Sequence, residues 1–281
     1  MAQTKILKKK RSGIRPKKKL GQHFIKHRSV IDQILESAQF QPFDRILEIG
    51  AGLGALTIPL ARCVDHVIAV EKDPYLSSIL EEKLSKASLQ NVHVINADIL
   101  KVDFNQIPGI IKGPIHVIGN LPYNISSPFL EQLIGARDLV HKAVLMFQTE
   151  FAQRLIASPC TKAYGAMTVW VQYHASITPL LDVPKDVFYP KPKVDSKVLA
   201  LDMDTPHPRR ADDDVFFKKV VRGAFSQRRK TILNSLKGSF PEYTMAEITI
   251  ALEQCFIDPG QRAETLDMDT FLCLATVLRK D

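Results

Sequence analysis

The sequence of 281 residues contains few cysteines, a single tryptophan and no long apolar segment. The cysteines form no C-x-x-C pair, which argues against a zinc site. We expect them to be small buried side chains in a reducing cytoplasm; they are Cys63, Cys160, Cys255 and Cys273. No apolar run approaches the roughly 20 residues of a membrane-spanning helix. These absences predict a cytoplasmic protein with no metal and no membrane segment.

Acidic residues are absent before Asp32, whereas lysine and arginine are frequent there. No apolar stretch follows this basic beginning, so we do not expect a secretory signal. The net charge is +8, and two further basic clusters occur later in the chain. Three separate clusters favour a nucleic acid as the partner, although a solubilising tail with ordinary solvated helix faces is the alternative. The residues expected to contact RNA are Lys191, Lys193, Arg222, Arg228, Arg229 and Lys230.

The rest of the composition is that of a globular protein, with 45% hydrophobic residues and a mean hydropathy of −0.04. Short strand-like apolar runs alternate with amphipathic helical segments, which predicts an α/β fold with a doubly wound, mostly parallel sheet. Strands are predicted at 45–49, 66–70, 92–95, 115–118, 142–147, 167–173 and 197–202. Helices are predicted between them at 30–38, 56–62, 76–85, 128–134 and 151–156.

This alternation ends at 205–214, where prolines are followed by three consecutive aspartates. Beyond the break the pattern is helical, with segments predicted at 216–236, 245–255 and 270–278. We therefore predict a basic tail over residues 1–19, an α/β domain over 20–205 and a small all-helical domain over 206–281. The helical domain carries the Arg228-Arg229-Lys230 cluster and is predicted to bind RNA.

A glycine-rich turn follows the first predicted strand of the sheet, in the segment that runs from Glu48 to Gly54. Gly50 and Gly52 allow the backbone to approach a ligand without an intervening Cβ. With Ala55 they also satisfy the G-x-G-x-x-G/A dinucleotide pattern, so a nicotinamide cofactor competes on spacing alone. Glu71 ends the second strand about twenty residues later. A carboxylate there accepts ribose hydroxyls, whether the cofactor is a nicotinamide dinucleotide or another molecule that carries adenosine.

Two further strand ends favour a different cofactor. Asp98 follows the third strand, where it can accept a hydrogen bond from an adenine amine. Asn120-Leu121-Pro122-Tyr123 follows the fourth strand, and hydride transfer has no need of it. Taken singly these residues are ordinary helix caps and turn residues. In this order, and with the glycine turn, they favour S-adenosylmethionine, a cationic molecule that carries adenosine.

The Asn-Leu-Pro-Tyr segment suits methylation of an aromatic amine. The lone pair of adenine N6 is delocalised into the ring, so the amine is a poor nucleophile. The side-chain oxygen of Asn120 and the carbonyl of Leu121 can accept its N–H groups and turn the lone pair toward an electrophile. Pro122 fixes one backbone angle, and Tyr123 offers a face on which an extruded base can stack.

The chain resembles the KsgA-type ribosomal RNA adenine dimethyltransferases over nearly its whole length. The most specific matching segments are Lys162 to Gly165, Phe188 to Ser196 and Phe225 to Thr231, whereas the glycine turn is less specific. Leu20-Gly21-Gln22-His23-Phe24 and the segment from Asn120 to Pro128 also match. Macrolide-resistance methyltransferases of large-subunit rRNA are relatives, but the segments from Asn120 to Ser126 and from Phe188 to Ser196 resemble the small-subunit branch.

The resemblance implies a Rossmann-like methyltransferase domain and transfer of methyl groups to N6 of two adjacent adenosines. These lie in the 3′-terminal hairpin loop of 16S rRNA, and each is dimethylated during small-subunit biogenesis. It also implies a monomer that acts on a pre-assembled 30S particle. The residues it implies as cofactor contacts are His23, Ile25, Gly50, Gly52, Glu71, Asp98 and Asn120. The family more usually has Asn at position 23 and Leu at position 25.

The predicted catalytic residues are Asn120, Leu121, Tyr123 and Phe188. Phe188 is expected to close the second face of the target base, although an apolar residue before a proline-rich loop commonly serves as an anchor. Two other functions stay open: an RNA-binding assembly factor that acts mainly by binding, and an adenine-N6 methyltransferase of 23S rRNA or DNA.

Overall fold

The computed structural model describes residues 16–109 and 113–279. A first, two-stranded sheet is antiparallel and consists of β1 (Phe24–Ile25) and β8 (Phe188–Tyr189). The large sheet has seven strands in the described residues. They are β2 (Arg45–Ile49), β3 (His66–Glu71), β4 (Val92–Asn96), β5 (Ile115–Asn120), β6 (Val140–Gln148), β7 (Ser176–Val183) and β9 (Ser196–Asp202).

The α-helices lie between these strands and after the last one. Those of the α/β part are α1 (Arg28–Ala38), α2 (Thr57–Leu60), α3 (Pro74–Lys86), α4 (Ser126–Gly135), α5 (Thr149–Leu155) and α6 (Ala166–His174). Those after β9 are α7 (Asp214–Ala224), α8 (Ile232–Ser239), α9 (Met245–Gln254) and α10 (Met268–Leu278).

The large sheet has the strand order β4-β3-β2-β5-β6-β9-β7. The first five strands in this order, from β4 across to β6, run parallel to one another. Toward the other edge, β9 pairs antiparallel with both β6 and β7. The predicted doubly wound, mostly parallel sheet is therefore confirmed. The chain progresses outward from β2 through β3 to β4 and then returns to β5 on the other side of β2. Open sheets bind ligands at such a reversal, beyond the carboxyl ends of the strands.

The predicted strand at 167–173 is wrong, because this segment forms helix α6. Its β-branched and aromatic residues are typical of a strand. In the helix they are buried on most of its faces, as are Thr168, Val169, Trp170 and Tyr173. Tertiary burial therefore decides its conformation rather than propensity. Thr168 caps the start of the helix, since its hydroxyl accepts the Gly165 N–H at 3.1 Å.

Strand β7 has no counterpart among the sequence predictions. It contains Pro179, which lowers strand propensity because proline has no backbone N–H. β7 is an edge strand, so one missing N–H donor is tolerated there. The pairing register of β7 shifts between Pro179 and Leu181, as at a β-bulge. The predicted helix at 216–236 is likewise divided into α7 and α8 by the turn that carries Arg228 to Lys230.

Two apolar clusters cover the two faces of the large sheet. One contains Ile31 and Ile34 of α1 together with Val67 and Leu80, and it also includes Phe188. The other contains Phe129 of α4 and Trp170 of α6, and it extends to Phe217, Leu236 and Phe271 of the C-terminal helices. The C-terminal helices thus pack on the same apolar layer as α4 and α6. The domain boundaries at 19 and 205 stay a prediction.

The expectation for the cysteines is only partly met. Cys255 is buried as predicted, but Cys63 and Cys160 are exposed, because each lies in a turn at the surface and not in an apolar face. Cys255 and Cys273 form a disulfide, with their Cα atoms 5.8 Å apart, where the prediction was reduced side chains. The fold brings the end of α9 beside α10, a proximity that the sequence spacing does not indicate. No helix within residues 16–109 and 113–279 is long and apolar enough to cross a membrane.

The packing of α7 against α8 predicts that Gly223→Ala destabilises the protein by about 1–3 kcal/mol, the range for overpacking a core. A Cβ at position 223 would lie 2.8 Å from Cε2 of Phe240 and 3.0 Å from Cβ of Ser239. Phe240 is buried, so its ring has little room to move. Denaturant unfolding followed by circular dichroism measures the change.

Gly238→Ala in α8 is the matched control for this substitution. Its added Cβ would meet only the Gln227 side-chain nitrogen, at 3.5 Å, which is an ordinary contact. The better helix propensity of alanine is then expected to leave stability unchanged or raise it by up to about 1 kcal/mol. Equal effects of the two substitutions would contradict the packing argument.

Candidate functional site

A cavity of about 120 Å³ opens at the carboxyl edge of β2, β3, β4 and β5. It lies at the topological reversal of the sheet, where a ligand site is expected. Its wall includes six of the sequence-predicted cofactor residues, which are His23, Gly50, Gly52, Glu71, Asp98 and Asn120. Leu121 also lines it. Residues from four strand ends and from the segment before β1 are thus brought together in one cavity.

The glycine turn forms the floor of the cavity. Gly50 and Gly52 have φ angles of 72° and 56°, in the left-handed region that favours glycine. The Gly50 N–H donates to the Val70 carbonyl at 2.8 Å. A Cβ at Gly52 would lie 3.3 Å from the ring of Phe24. A larger residue at position 52 would therefore strain the turn and narrow the cavity.

Glu71 holds this turn from the end of β3. One carboxylate oxygen accepts the Gly52 N–H at 2.8 Å and the other accepts the Asp73 N–H at 2.8 Å. Burial raises the pKa of Glu71, while these backbone N–H groups oppose the shift. Each carboxylate oxygen has a second lone pair, so Glu71 can still accept hydroxyl groups from a ligand.

Asp98 lines the cavity after β4, the strand next to β3. Its carboxylate pairs with the Lys72 ammonium at 2.7 Å and caps the Leu100 N–H at 3.2 Å. The hydrogen bond from Lys72 is the main cause that holds the pKa of Asp98 below its usual value. Asp98 is therefore an ionised acceptor at neutral pH, as a hydrogen bond from an adenine amine requires.

Asn120 at the end of β5 has its amide fixed in orientation. The side-chain nitrogen donates to the His23 carbonyl at 3.1 Å, which leaves the side-chain oxygen as the acceptor. Leu121 has its side chain in the core, at 1% exposure, so that its backbone is held firmly at the cavity wall. The backbone of Tyr123 begins a short 3₁₀ turn, and its side chain lies outside the described part of the structure.

The segment around His23 is held by the loop that follows β8. The His23 Nδ1–H donates to the Pro190 carbonyl at 2.6 Å, and Ile25 pairs with Phe188 in the small sheet. Phe24 lines the cavity, whereas Ile25 packs against the core cluster outside it. Phe188 is 1% exposed, so its ring acts as an anchor in this conformation.

The basic residues predicted to contact RNA fall into two groups. Some support the fold: Arg228 donates to the Lys162 carbonyl at 2.6 Å, and Arg222 donates to Glu131 at 2.8 Å. Lys191 pairs with Asp186. Arg229, Lys230 and Lys193 form the second group, and all six residues are exposed on the surface.

Sequence reasoning missed the contact that holds the segment before β1 over the cavity. The Lys17 ammonium and the Gln22 amide nitrogen donate to the two oxygens of Asp73, at 2.7 Å and 3.1 Å. The Lys17 backbone N–H donates to the Gln22 side-chain oxygen at 2.7 Å. Asp73 is 2% exposed, and although burial opposes ionisation, these donors hold its pKa below the usual value.

We call Lys17, Gln22 and Asp73 the latch. The latch connects the segment from Lys19 to Phe24, which forms one wall of the cavity, to Glu71 through the Asp73 backbone. The Asp73-Pro74 dipeptide is a recognisable helix start. Its pairing with Lys17, however, joins residues 56 positions apart and has no local signal.

Glu48 is a further buried carboxylate beside the glycine turn. It is 2% exposed, and its Oε2 has no hydrogen-bond partner among the described residues. Burial raises its pKa to about 7, and the negative charge of Glu71 acts in the same direction.

Among the described residues no group of histidine, cysteine and acidic side chains is arranged to hold a metal.

Residues 13–280 match the family described as Ribosomal RNA adenine dimethylase. Two relatives are named Ribosomal RNA small subunit methyltransferase A. The one from Desulforapulum autotrophicum is 42% identical over 270 residues, which cover 96% of this chain and 94% of that protein. The one from Moorella thermoacetica is 42% identical over 274 residues, which cover 95% of this chain and 94% of that protein.

Two solved structures share the fold over most of the chain. A dimethyladenosine transferase from Plasmodium falciparum has a TM-score of 0.74 at 28% identity, and the match covers 89% of this chain and 95% of that one. The 23S rRNA methyltransferase ErmE has a TM-score of 0.69 at 27% identity, with 91% of this chain and 99% of that one covered.

The latch predicts that Asp73→Asn raises the dissociation constant of S-adenosylmethionine about three- to tenfold. The amide still caps α3, but it loses the ion pair with Lys17, which is half-exposed and so contributes less than a buried pair. The wall from Lys19 to Phe24 is then held less firmly. Titration calorimetry measures the affinity, and stopped-flow dissociation is expected to be faster.

Asp32→Asn is the matched control, because Asp32 pairs with Arg28 at the surface of α1 and outside the cavity. It is expected to leave cofactor affinity unchanged. Lys17→Met should shift the affinity in the same direction as Asp73→Asn. If Asp73→Asn binds the cofactor as tightly as the native protein, the latch does not support the cavity wall.

The burial of Glu48 predicts a pH dependence of stability. Its pKa is raised from 4.5 to about 7 in the folded state, so the folded state binds a proton that the unfolded chain releases between these values. The native protein should therefore lose up to about 3 kcal/mol of stability as the pH rises through this window. Glu48→Gln, which mimics the protonated form, should not show this loss.

Urea unfolding at pH 5 and pH 8 measures the effect. The stability of Glu48→Gln relative to the native protein is expected to improve between the two pH values. Glu36→Gln, at an exposed position of α1, controls for replacing a carboxylate by an amide. A constant difference between Glu48→Gln and the native protein would show that Glu48 stays ionised when buried.

Proposed function

The chain belongs to the ribosomal RNA adenine dimethylase family, and we propose that it dimethylates N6 of two adjacent adenosines in small-subunit rRNA. The targets lie in the 3′-terminal hairpin loop of 16S rRNA, and the cofactor is S-adenosylmethionine. The observation that carries the proposal is the Asn120 amide. It lines the cofactor cavity, and its nitrogen is bound to the His23 carbonyl, so its oxygen is the acceptor for a target amine.

The residues of the cavity fit S-adenosylmethionine. Glu71 provides acceptors for the ribose hydroxyls, and Asp98 provides one for the adenine amine beside Ile99, an apolar wall residue. The backbone of Gly50 and Gly52 allows close approach. A site with two carboxylates suits a cationic ligand. When bound, this cofactor would supply a methyl group on a positively charged sulfur, and loss of that methyl group would break the sulfur–methyl bond and leave a neutral thioether.

Asn120 and Leu121 position the target nitrogen. The Asn120 side-chain oxygen and the Leu121 carbonyl accept its two N–H groups, so that the lone pair is directed at the methyl group and is no longer held in the ring. No strong general base is required, because the remaining proton becomes acidic once the nitrogen carries the new bond and water removes it. Positioning supplies most of the rate enhancement.

The aromatic residues of the site hold the target base. Tyr123 stacks on one face, in the role the sequence predicts for it. Phe188 is buried in this conformation, so closing the second face requires β8 to move. The second methylation requires space for a methyl group where an N–H was accepted before.

The substrate is the pre-assembled 30S particle, and the protein acts as a monomer in the cytoplasm. A particle of this kind presents phosphates to the exposed Arg229, Lys230 and Lys193. The relatives named Ribosomal RNA small subunit methyltransferase A support the small subunit over the large one. The intact cofactor cavity supports catalysis over a function by binding alone.

Labelling with methyl-tritiated S-adenosylmethionine tests this function. Unmethylated 30S particles, protein-free 23S rRNA and duplex DNA are incubated in parallel, and the labelled nucleotides are mapped. We expect label only in the 3′-terminal hairpin of 16S rRNA, as N6,N6-dimethyladenosine at two adjacent positions. Label on 23S rRNA or DNA would move the function to another substrate, and no label with tight 30S binding would favour an assembly factor.

Asn120→Ala is expected to lower the rate of methyl transfer by orders of magnitude while 30S binding changes little. Asn120 acts on the transition state and not on docking of the particle. Single-turnover assays at saturating cofactor and particle isolate the chemical step. The lost contact with His23 allows a modest rise in the cofactor dissociation constant. A near-normal rate from the folded variant would contradict the role of Asn120.

A further inference from the structure

The chain places a phenylalanine where the backbone favours glycine. Phe256 has a φ of 57°, in the left-handed region. It follows α9 in a Schellman ending, in which the Ile257 N–H donates to the Leu252 carbonyl at 2.9 Å and the Phe256 N–H donates to the Glu253 carbonyl at 3.0 Å. This position is usually glycine, or sometimes asparagine. A bulky side chain there strains the backbone.

Packing does not account for this strained residue. Phe256 is 98% exposed, whereas the apolar contact that closes such an ending is made by Ile257 and Leu252, both buried in the core. The other non-glycine residues with positive φ among the described residues are Gln39, Ser88 and Cys160, which are smaller or more flexible. The aromatic ring at position 256 therefore costs stability and buries no apolar surface in return.

Glu253 and Asp258 are exposed close to Phe256 in the sequence, and a cation follows on the loop after Phe256. This loop is attached to the turn of Arg228 to Lys230, because the Ile232 N–H donates to the Gln261 carbonyl at 2.8 Å. Arg262 on this loop is exposed, as are Arg229 and Lys230 on the turn. These cations lie on the loop that follows the strained ring and on the turn attached to that loop, and proteins that bind unpaired nucleic acid combine such cations with stacked aromatic rings.

The exposed apolar residues of α9 do not form one continuous apolar patch with each other. Ile250 and Met245 are partly exposed, but five helical positions place them about 140° apart around the helix axis. A single exposed aromatic ring, with cations on the loop that follows it and on the turn attached to that loop, fits a base better than it fits an apolar protein pocket. We propose that Phe256 is an RNA contact that stacks on an unpaired base of the substrate, outside the methyl-transfer cavity.

This inference rests on the proposed function, since the unpaired base belongs to the rRNA that the site methylates. Phe256→Gly is expected to raise the midpoint of thermal unfolding, because it relieves the strain, and to weaken binding of the 30S particle about tenfold, the scale for one stacked base. Few substitutions are expected to stabilise a protein and weaken its binding at once. Filter binding and differential scanning calorimetry provide the two measurements.

Two further variants separate stacking from apolar contact. Phe256→Tyr keeps the aromatic face and is expected to bind like the native protein. Phe256→Leu keeps the backbone strain and an apolar side chain but has no face for a base, so it is expected to bind as weakly as Phe256→Gly. Phe43→Leu is the control, since Phe43 is 74% exposed between α1 and β2, at the amino end of a strand whose carboxyl end lies at the cavity.

Native affinity of Phe256→Gly would overturn the inference. Native affinity of Phe256→Leu would also overturn it, in favour of an apolar protein contact on the particle. The native protein is assayed for methyl transfer in the same preparation. If it methylates 16S rRNA while the Phe256 variants bind normally, only this inference fails; if it transfers no methyl group to rRNA, the proposed function fails first.

Discussion

The carboxylate of Glu71 is the interaction on which the arrangement of the site depends. It is 6% exposed at the end of β3, and its two oxygens hold two different segments. One fixes the glycine turn through Gly52, and the other fixes Asp73, which in turn holds Lys17 and Gln22. The floor and one wall of the cavity are therefore tied to the same buried side chain. Such a residue shapes the cavity before any ligand binds.

The sequence predicts the parts of this arrangement that follow from a repeating pattern. Strand β2 is predicted over its full length because Ile46, Leu47 and Ile49 form a short apolar segment that ends at the glycine turn. Glu71, Asp98 and Asn120 are predicted to lie together because the carboxyl ends of parallel strands share one edge. Each of these inferences needs only local pattern and the general geometry of α/β sheets.

The parts that were not predicted depend on tertiary packing. Residues 167–173 form a helix because the sheet and the C-terminal helices bury most of their surface, which no short window can indicate. Strand β7 is tolerated with Pro179 because it is an edge strand, a fact of strand order and not of composition. The Lys17–Asp73 pair joins two ordinary charged residues across the chain, and the buried setting of Phe188 depends on its pairing with Ile25.

The charges of the site reconcile two ligands of opposite sign. A cationic cofactor favours carboxylates, yet the same residues would repel the phosphates of an RNA that must come close. The structure reduces this conflict by burial and pairing. Glu71 and Asp73 are covered by the protein, and Lys72 and Lys17 pair with Asp98 and Asp73 on the outer side. The carboxylate oxygens thus stay available as acceptors at the cavity, while Lys17 and Lys72 offset the negative charge that the polyanion would meet.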